Sequence, residues 1–529
     1  MKTPLTPVSF LARALRYYPD KIAIVDESLR FTYRQFANRV NKLSNVLLEL
    51  GMRQGTKVGV LLPNTHVMLE CFFGIAQMGG VLVPLNTRLQ GAELAYILAH
   101  SDAEILIVDG EWGDTVAQLL PNLPQIQHVI QFESGYGSNL HALNYESLLS
   151  TATATLPQIE VDEDWPLSIN YTSGTTSKPK GVILTHRNSY VNAADLMFHL
   201  NIHYEDVYLH TLPLFHVNGW GVFWGVTAVG GTQVCLRKIV PSEVLELFVR
   251  ERISLACGAP TVLNMLANAP NLDSIQMDTH PRVATAGSPP PAAIIDRVQK
   301  ALHMDIIHIY GMTEAAPIIS FCEWRPEFSS LPPEQQAKIK ARQGVSLVFS
   351  GTTCVVREDG SEVNWNSREI GEIVAQGNVI MAGYYKDPEA TAKAIRDGWY
   401  HTGDLAVVHP DGYIEIVDRL KDVIISGGEN ISSVELESVL YEHPAVQDCA
   451  VVAKPDERWG EVPVAYILRK PGISVTAEEL NEFCRDRLAH FKVPKTYEFI
   501  DDLPRTATGK LQKFRLREQI WQNENKRVH

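Results

Sequence analysis

The sequence predicts an α/β protein built from more than one unit. Apolar runs of strand length recur at residues 57–62 (KVGVLL), 105–108 (ILIV) and 305–309 (DIIHI). They alternate with segments of helical period, which is the texture of α/β units around largely parallel sheets. The chain has 529 residues, and at roughly 150 residues per domain one compact unit is too small to hold it. From about Gly371 the texture changes to short strand-like pieces separated by turns, among them Pro410-Asp411-Gly412.

In chain order, residues 58–63 end a buried run at a proline, and residues 64–77 continue with helical period, so a strand is followed by a helix. Residues 167–169 (LSI) are an apolar lead-in to a polar loop. Residues 418–422 (DRLKD) are charged and are followed by Ser426-Gly427-Gly428, a pattern that fits an interdomain hinge or an ordinary surface loop. What lies beyond suits one small α/β domain.

Hydrophobic residues make up 45% and charged residues 20% of the chain, which excludes intrinsic disorder and allows several sizeable cores. The net charge of −14 disfavours duplex nucleic acid or an anionic membrane as principal partner, since both want a basic footprint. No nucleic-acid partner is expected, and any anionic ligand must be held by local groups. The seven cysteines (Cys71, Cys235, Cys257, Cys322, Cys354, Cys449, Cys484) are scattered and contain no C-x-x-C pair, which points to buried, reduced thiols in a cytosolic protein. Residues 1–10 lack the apolar core of a signal peptide, and no run of eighteen apolar residues follows, so no transmembrane segment is expected. The final residues, Lys526 to His529, are not the S-K-L peroxisomal address, and a cytoplasmic location is expected.

The strongest local signal is residues 171–181 (YTSGTTSKPKG). Ser and Thr hydroxyls, backbone N–H groups freed by Gly174, and Lys178 and Lys180 make an anion cradle whose natural guest is phosphate. It is not a Walker loop, because neither Gly174 nor Gly181 is followed by Lys-Ser or Lys-Thr. His199 and His203 are spaced i, i+4, but no Glu follows His199 and no third ligand is apparent, so zinc is rejected.

The cradle resembles the phosphate-binding signature of the adenylate-forming superfamily, which includes acyl-CoA and aryl-CoA synthetases, adenylation domains of peptide synthetases and luciferases. Further motifs follow in order: residues 310–314 (YGMTE), 400–405 (YHTGDL), 418–429 (DRLKDVIISGGE) and 504–510 (PRTATGK). Ser177 departs from the pattern, since family loops often carry Gly there. The resemblance implies a large N-terminal domain of α/β subdomains with a β-barrel-like part (1–417), a hinge (418–421) and a small mobile C-terminal α/β domain (422–529).

It also implies the reaction: a carboxylate attacks the α-phosphate of ATP, pyrophosphate leaves, and the acyl group passes to a thiol. Lys510 would reach both the carboxylate and the α-phosphate, lowering their repulsion. ATP would be held by Thr172, Ser173, Gly174, Thr175, Thr176 and Lys180 at the phosphates. Gly287, Ser288 and Pro289 would wall the adenine, with Tyr310 on its face and Gly311, Met312 and Thr313 beside it. Asp404 would accept from the ribose hydroxyls, and Arg419 would add a ribose or phosphate contact. Mg²⁺ would be held by Glu314 and the Thr172 hydroxyl, as suits a hard ion that takes few protein ligands.

Residues 213–220 (PLFHVNGW) resemble the acyl-facing motif, so His216, Val217, Gly219, Trp220, Gly311 and Met312 are the expected acyl pocket. His216 would orient the carboxylate, and Trp220 resembles the gate tryptophan of some fatty acyl-CoA synthetases. For the second half-reaction the small domain would rotate about Lys421, withdrawing Lys510 and bringing Gly427, Gly428 and Glu429 to the CoA channel, where glycines let the thiol pass.

Residues 324–345, 215–220 and 427–434 look like the branch of methylmercaptopropionate-CoA ligases, plant acyl-activating enzymes and medium- to long-chain fatty acyl-CoA synthetases. The implied function is an AMP-forming acyl-CoA synthetase for a fatty or short substituted acid, with ATP, CoA and Mg²⁺. A homodimer is compatible with this. The alternatives are an aryl-CoA ligase, an adenylating enzyme that loads a carrier protein, and a catalytically silent nucleotide-binding protein.

Overall fold

The computed structural model describes residues 2–133, 140–157, 159–172, 178–287, 292–505 and 511–521, with only the backbone of 292–294, 296, 297 and 521. The expected early strand forms at Lys57–Leu61, buried after its first residue. Its lack of polar alternation has a plain cause: a parallel strand covered on both faces has no solvent side. The helix that follows, His66–Ala76, is buried at all eleven positions. It starts two residues later than the apolar period suggests, because Thr65 keeps an extended backbone at the cap.

Among the described residues, the N-terminal part holds two large sheets. One runs in the order Gly383–Tyr384, Lys180–Thr185, Pro166–Thr172, Val81–Pro84, Lys57–Leu61, Ala103–Asp109, His128–Phe132, Leu143–Asn144. The other has a parallel centre, with Asp305–Gly311, Arg282–Thr285, Leu255–Gly258, Val207–Leu209 and Thr232–Val234 in that order. The helices Tyr33–Glu49, His66–Ala76 and Val222–Val229 share one core with both, joining Val58 and Ile107 of the first sheet to Ile24 of the second. Phe73 sits between Phe36 and Trp224 there, with ring centroids 5.6 and 4.5 Å away. The first of these helices starts at a capping box between Thr32 and Gln35.

The part expected to be barrel-like is a five-stranded antiparallel sheet. It comprises Gly351–Val356, Gly371–Gly377, Trp399–Val408 and Ile395–Arg396, with Ile414–Arg419 also on Trp399–Val408. Past Arg419 comes a small α/β unit whose sheet runs Glu429–Ile431, Ile424–Ser426, Gly460–Arg469, Val446–Asp456, with Thr496–Phe499 parallel to Gly460–Arg469. Six of the seven cysteines are buried. Among the described residues no helix is long and apolar enough to cross a membrane.

Several histidines are sealed in this scaffold. Burial holds the imidazoles of His186, His210 and His308 down to about 4. His210 bonds Gln233 at 2.9 Å, and His308 Nδ1 donates to the Arg342 carbonyl at 2.8 Å, both contacts suited to neutral rings. Their folded pKa lies below the unfolded value of about 6.5, so the stability they hold is full above that pH and is lost as the pH falls towards 4. Each contributes about 3 kcal/mol at most. Urea denaturation is therefore expected to show a midpoint that is level above pH 6.5 and drops steeply from pH 6 to 4.5; a level midpoint across that window would contradict it.

Candidate active site

The parallel strands end on one side of the molecule, and a cleft of about 2220 Å³ opens there. Its wall takes residues that close or follow strands: Thr172 at the end of Pro166–Thr172, Gly311 at the end of Asp305–Gly311, and Gly287 just past Arg282–Thr285. Open α/β sheets bind ligands outside the carboxyl ends of their strands for this reason of exposure.

At one wall the hairpin register does the positioning. Asp404 of Trp399–Val408 lies directly across from Arg419 of Ile414–Arg419, and Arg419 Nε is 3.2 Å from Asp404 Oδ1. The other oxygen, Oδ2, accepts the Tyr310 hydroxyl at 2.7 Å. A carboxylate has about four acceptor sites, so two remain for ribose hydroxyls. Burial, and after it Asp404, pushes the Tyr310 phenol well above its usual range, which keeps it a donor. Glu372 fixes the loop from beneath, accepting from Gly403 N at 3.0 Å and contacting His401 Nδ1 at 2.7 Å.

The phosphate wall is also set by register. Thr172 pairs with Lys180 across the hairpin, so both stand at the mouth of the cradle. Lys180 Nζ lies 4.9 Å from the ring centre of Tyr384 and 3.9 Å from Asp387 Oδ2. Met312, Thr313 and Glu314 follow Gly311 along the cleft, Glu314 in the short turn Thr313–Ala315. Gly311 admits no other residue, since a Cβ would lie 1.8 Å from the Pro317 carbonyl oxygen. The Tyr384 hydroxyl donates to Glu314 Oε1 at 2.9 Å. That leaves Oε2 without a protein partner among the described residues. Thr172 lines the same cleft, and the two residues offer oxygens of the hard kind that Mg²⁺, which takes few protein ligands, accepts.

The acyl-facing wall rests on an unusual piece of backbone. Val217, Asn218, Gly219, Trp220 and Gly221 form a left-handed turn, with φ of 36, 46, 54, 62 and 75°. Left-handed helical backbone costs roughly 1–2 kcal/mol per non-glycine residue, and three of the five have side chains. Val217 and Trp220 line the cleft from this turn, and His216 from the extended residue just before it. Gly219 does not, because a Cβ there would point at Leu214, 3.0 Å away.

Ser173, Gly174, Thr175, Thr176, Ser288, Pro289 and Lys510 lie outside the described residues. Arg505 and Leu511, which flank the lysine motif, pair as an antiparallel bridge and line the cleft. Lys421 lines it too, and its carbonyl accepts Arg517 Nη1 at 2.9 Å. Gly427, Gly428 and Glu429 do not line it; the two glycines form a tight hairpin with φ of 61 and 87°. The supporting residues Tyr384 and Glu372 were not legible in the sequence. Tyr384 meets its partner from 70 residues away, and no local spacing announces such a contact.

A cleft at the strand ends, a strand-paired Asp–Arg couple and a small second unit closing one side define the adenylate-forming enzyme class. Residues 11–385 match the family of AMP-binding enzymes, and residues 435–510 match the AMP-binding enzyme C-terminal domain. The chain belongs to this AMP-binding enzyme family. It is 44% identical to a probable CoA ligase of Humulus lupulus, over 97% of this chain and 94% of that one. It is 41% identical to a 2-methylpropanoate–CoA ligase of the same plant (98% and 95%), and 40% identical to a 4-hydroxybutyrate–CoA ligase of Metallosphaera sedula (99% and 96%). An anthranilate CoA ligase in complex with anthranoyl-AMP superposes with a TM-score of 0.89 at 28% identity, over 98% of both chains. The chain is an acid–thiol ligase of the acyl-CoA synthetase type, which uses ATP, CoA and Mg²⁺.

Replacing Asp404 with Ala is expected to leave Arg419 and Tyr310 without their shared acceptor and to raise the KM for ATP about 10- to 100-fold, since a buried charged contact is worth roughly 1.5–3 kcal/mol. Tyr310→Phe keeps the ring and the Asp404–Arg419 couple, so it is expected to shift the ATP KM less than Asp404→Ala. Steady-state pyrophosphate exchange at saturating acid reads both. Equal effects of the two variants would refute the division of labour between the two oxygens.

Proposed function

We propose that the protein activates an aliphatic carboxylic acid, fatty or short and substituted, as its acyl-adenylate in this cleft and then passes the acyl group to CoA. The observation that carries the reading is continuity: Gly311 and Met312 lie on the same cleft wall as Trp220 and His216 on one side and Asp404 and Arg419 on the other. An acid and a nucleotide in one such cleft share a boundary at the α-phosphate. The relatives named for 2-methylpropanoate and 4-hydroxybutyrate favour a short substituted acid.

In the first half-reaction, His216 orients the carboxylate, while Thr172, Lys180 and the cradle at 173–176 hold the phosphates. Glu314 and Thr172 would hold Mg²⁺, which would supply charge neutralisation at the phosphates. Gly287, Ser288 and Pro289 wall the adenine, and Lys510 bridges the two anions as they meet. Charge stabilisation of this kind is worth most where donors are fixed in advance. Among the described residues of the proposed ATP site, Tyr310, Asp404 and Arg419 are tied to one another before any ligand enters.

We take 418–421 as the hinge between 1–417 and 422–529, with rotation at Lys421 exchanging the lysine motif for Gly427, Gly428 and Glu429. The contacts around it favour this. Asp418 is buried and accepts from Ser433 N at 2.5 Å and Ser433 Oγ at 3.1 Å, so the strand end holds the first turn of helix Ser433–Tyr441. Lys513 Nζ reaches Ser433 Oγ and Glu437, each at 2.7 Å. The Asp418–Ser433 bonds cross the joint and must open in a rotation, whereas the Lys513 bonds lie within 422–529 and brace the same helix turn. A reducing, cytoplasmic setting fits the seven free thiols.

Two measurements test the reading. A panel of aliphatic and aromatic acids with ATP, with and without CoA, is expected to give AMP release that needs free CoA and prefers aliphatic acids; preference for benzoate-like acids would favour an aryl-CoA ligase. Lys510→Ala is expected to slow acyl-adenylate formation about 100- to 1,000-fold yet largely spare thioester formation from supplied acyl-adenylate. Equal losses in both half-reactions would sink the two-state role of this lysine.

A further inference from the structure

Behind the acyl-facing wall lies a second, small cavity of about 10 Å³. Ser189 and Asn192 of helix His186–His199 line it, together with Val217, Asn218 and Gly221 of the left-handed turn and Trp224 of helix Val222–Val229. Val217 lines both this cavity and the cleft, so one side chain's thickness separates them.

The polar atoms here are paired on one side only. Asn192 Nδ2 donates to the Trp220 carbonyl at 2.8 Å, and Asn218 Nδ2 donates to Ser168 Oγ at 3.1 Å. The carbonyl acceptor fixes which end of the Asn192 amide is the nitrogen, whereas the Ser168 hydroxyl, able to donate or accept, is compatible with the Asn218 orientation and does not by itself fix it. Left over, buried and without a protein partner among the described residues, are Asn192 Oδ1, Asn218 Oδ1 and the Trp224 indole Nε1. Asn192, Asn218 and Trp224 are 1%, 4% and 0% exposed. Buried groups of this kind are satisfied in folded proteins. One molecule that accepts from an indole N–H and donates to two amide oxygens has the hydrogen-bond inventory of a single water. The cavity has the volume of about one water-sized probe.

We propose that this cavity is a built site for one water molecule, and that Asn192, Asn218 and Trp224 are positioning residues that hold the left-handed turn, and so the acyl-facing His216, Val217 and Trp220, in place through it. The inference rests on reading that wall as the acyl pocket. Its physical basis is the turn itself. Three non-glycine residues in left-handed backbone persist only where the surroundings over-determine them. Asn192 secures the far end through Trp220, Asn218 secures the near end through Ser168, and the water ties the two amides to each other and to the helix behind.

A high-resolution crystal structure of the wild-type chain decides the site: one water within about 2.7–3.2 Å of all three atoms supports it, and a collapsed cavity or a turned amide overturns it. Kinetics decide the positioning role. With 2-methylpropanoate and octanoate as probes, Asn192→Ala is expected to raise the KM for the acid about tenfold while the KM for ATP stays within about twofold. Trp224→Phe, which removes the indole N–H together with part of the ring system but keeps the cavity's amides, should move the acid KM in the same direction. Unchanged acid KM in both variants overturns the role, and so does a uniform loss that follows melting temperature and touches ATP equally. If the wild-type chain activates neither acid, the acyl reading fails, whereas a wild-type chain that activates them beside indifferent variants fails the present inference alone.

Discussion

One buried carboxylate ties the working parts of this molecule together. Asp404 is almost wholly removed from solvent, and an unpaired charge in that position would be strongly unfavourable. Its partners come from separate elements: Tyr310 from the end of a strand in the mixed nine-stranded sheet, and Arg419 from the last strand of the antiparallel sheet. On the proposed reading Arg419 itself lies in the joint, 418–421, to the small unit. Sheet, sheet and joint therefore meet at a single charge. A shift in any of them alters the geometry offered to a ribose.

The site was legible in the sequence where its geometry is local. Thr172 and Lys180 are close in sequence and end up as a hairpin pair, and 310–314 occupy a strand end and the turn that follows it. Asp404 and Arg419 were named from their motifs, and the strand register brings them face to face. What could not be read is what depends on long-range packing. Tyr384 on Glu314, Glu372 beneath Gly403, and Asn192 on Trp220 join segments that no spacing connects. Gly219 was expected on the acyl wall and is not among the residues that line the cleft, for a related reason. Within the left-handed turn Val217 and Trp220 line the cleft while Gly219 backs onto Leu214, and only the backbone angles reveal this. The α/β texture was readable because apolar runs without alternation have few other uses than buried parallel strands.

The net charge of −14 acquires a local meaning at the joint. Asp418 and Asp422, both buried, sit beside Lys513 and Arg517, one helical turn apart on helix Lys513–Trp521. Lys513 is largely buried, and Glu437, Asp418 and Asp422 together raise its pKa against the effect of burial. Buried ion pairs are weak evidence of stability, since desolvation offsets much of the attraction. Their attested use is to specify one arrangement against others. Of the three acids around Lys513 only Asp418 lies outside 422–529, so it is the Asp418 interaction that favours one orientation of the small unit.

That orientation bears on how two half-reactions share a cleft. Arg505 and Leu511 stand at the cleft, while the glycine turn at 427–428 is kept out of its lining. On the proposed reading this is the arrangement suited to adenylate formation. A rotation that brought the glycines inward would have to separate Asp418 from Ser433 while the Asp422–Arg517 pair travelled with the small unit. The cost of the switch is then set by a few charge-assisted hydrogen bonds, each roughly 1.5–3 kcal/mol, and not by the rupture of a core. The small unit keeps its own core, from Ile424 to Val493, intact through such a motion. Ligand contacts of ordinary strength are enough to tip an equilibrium of that size.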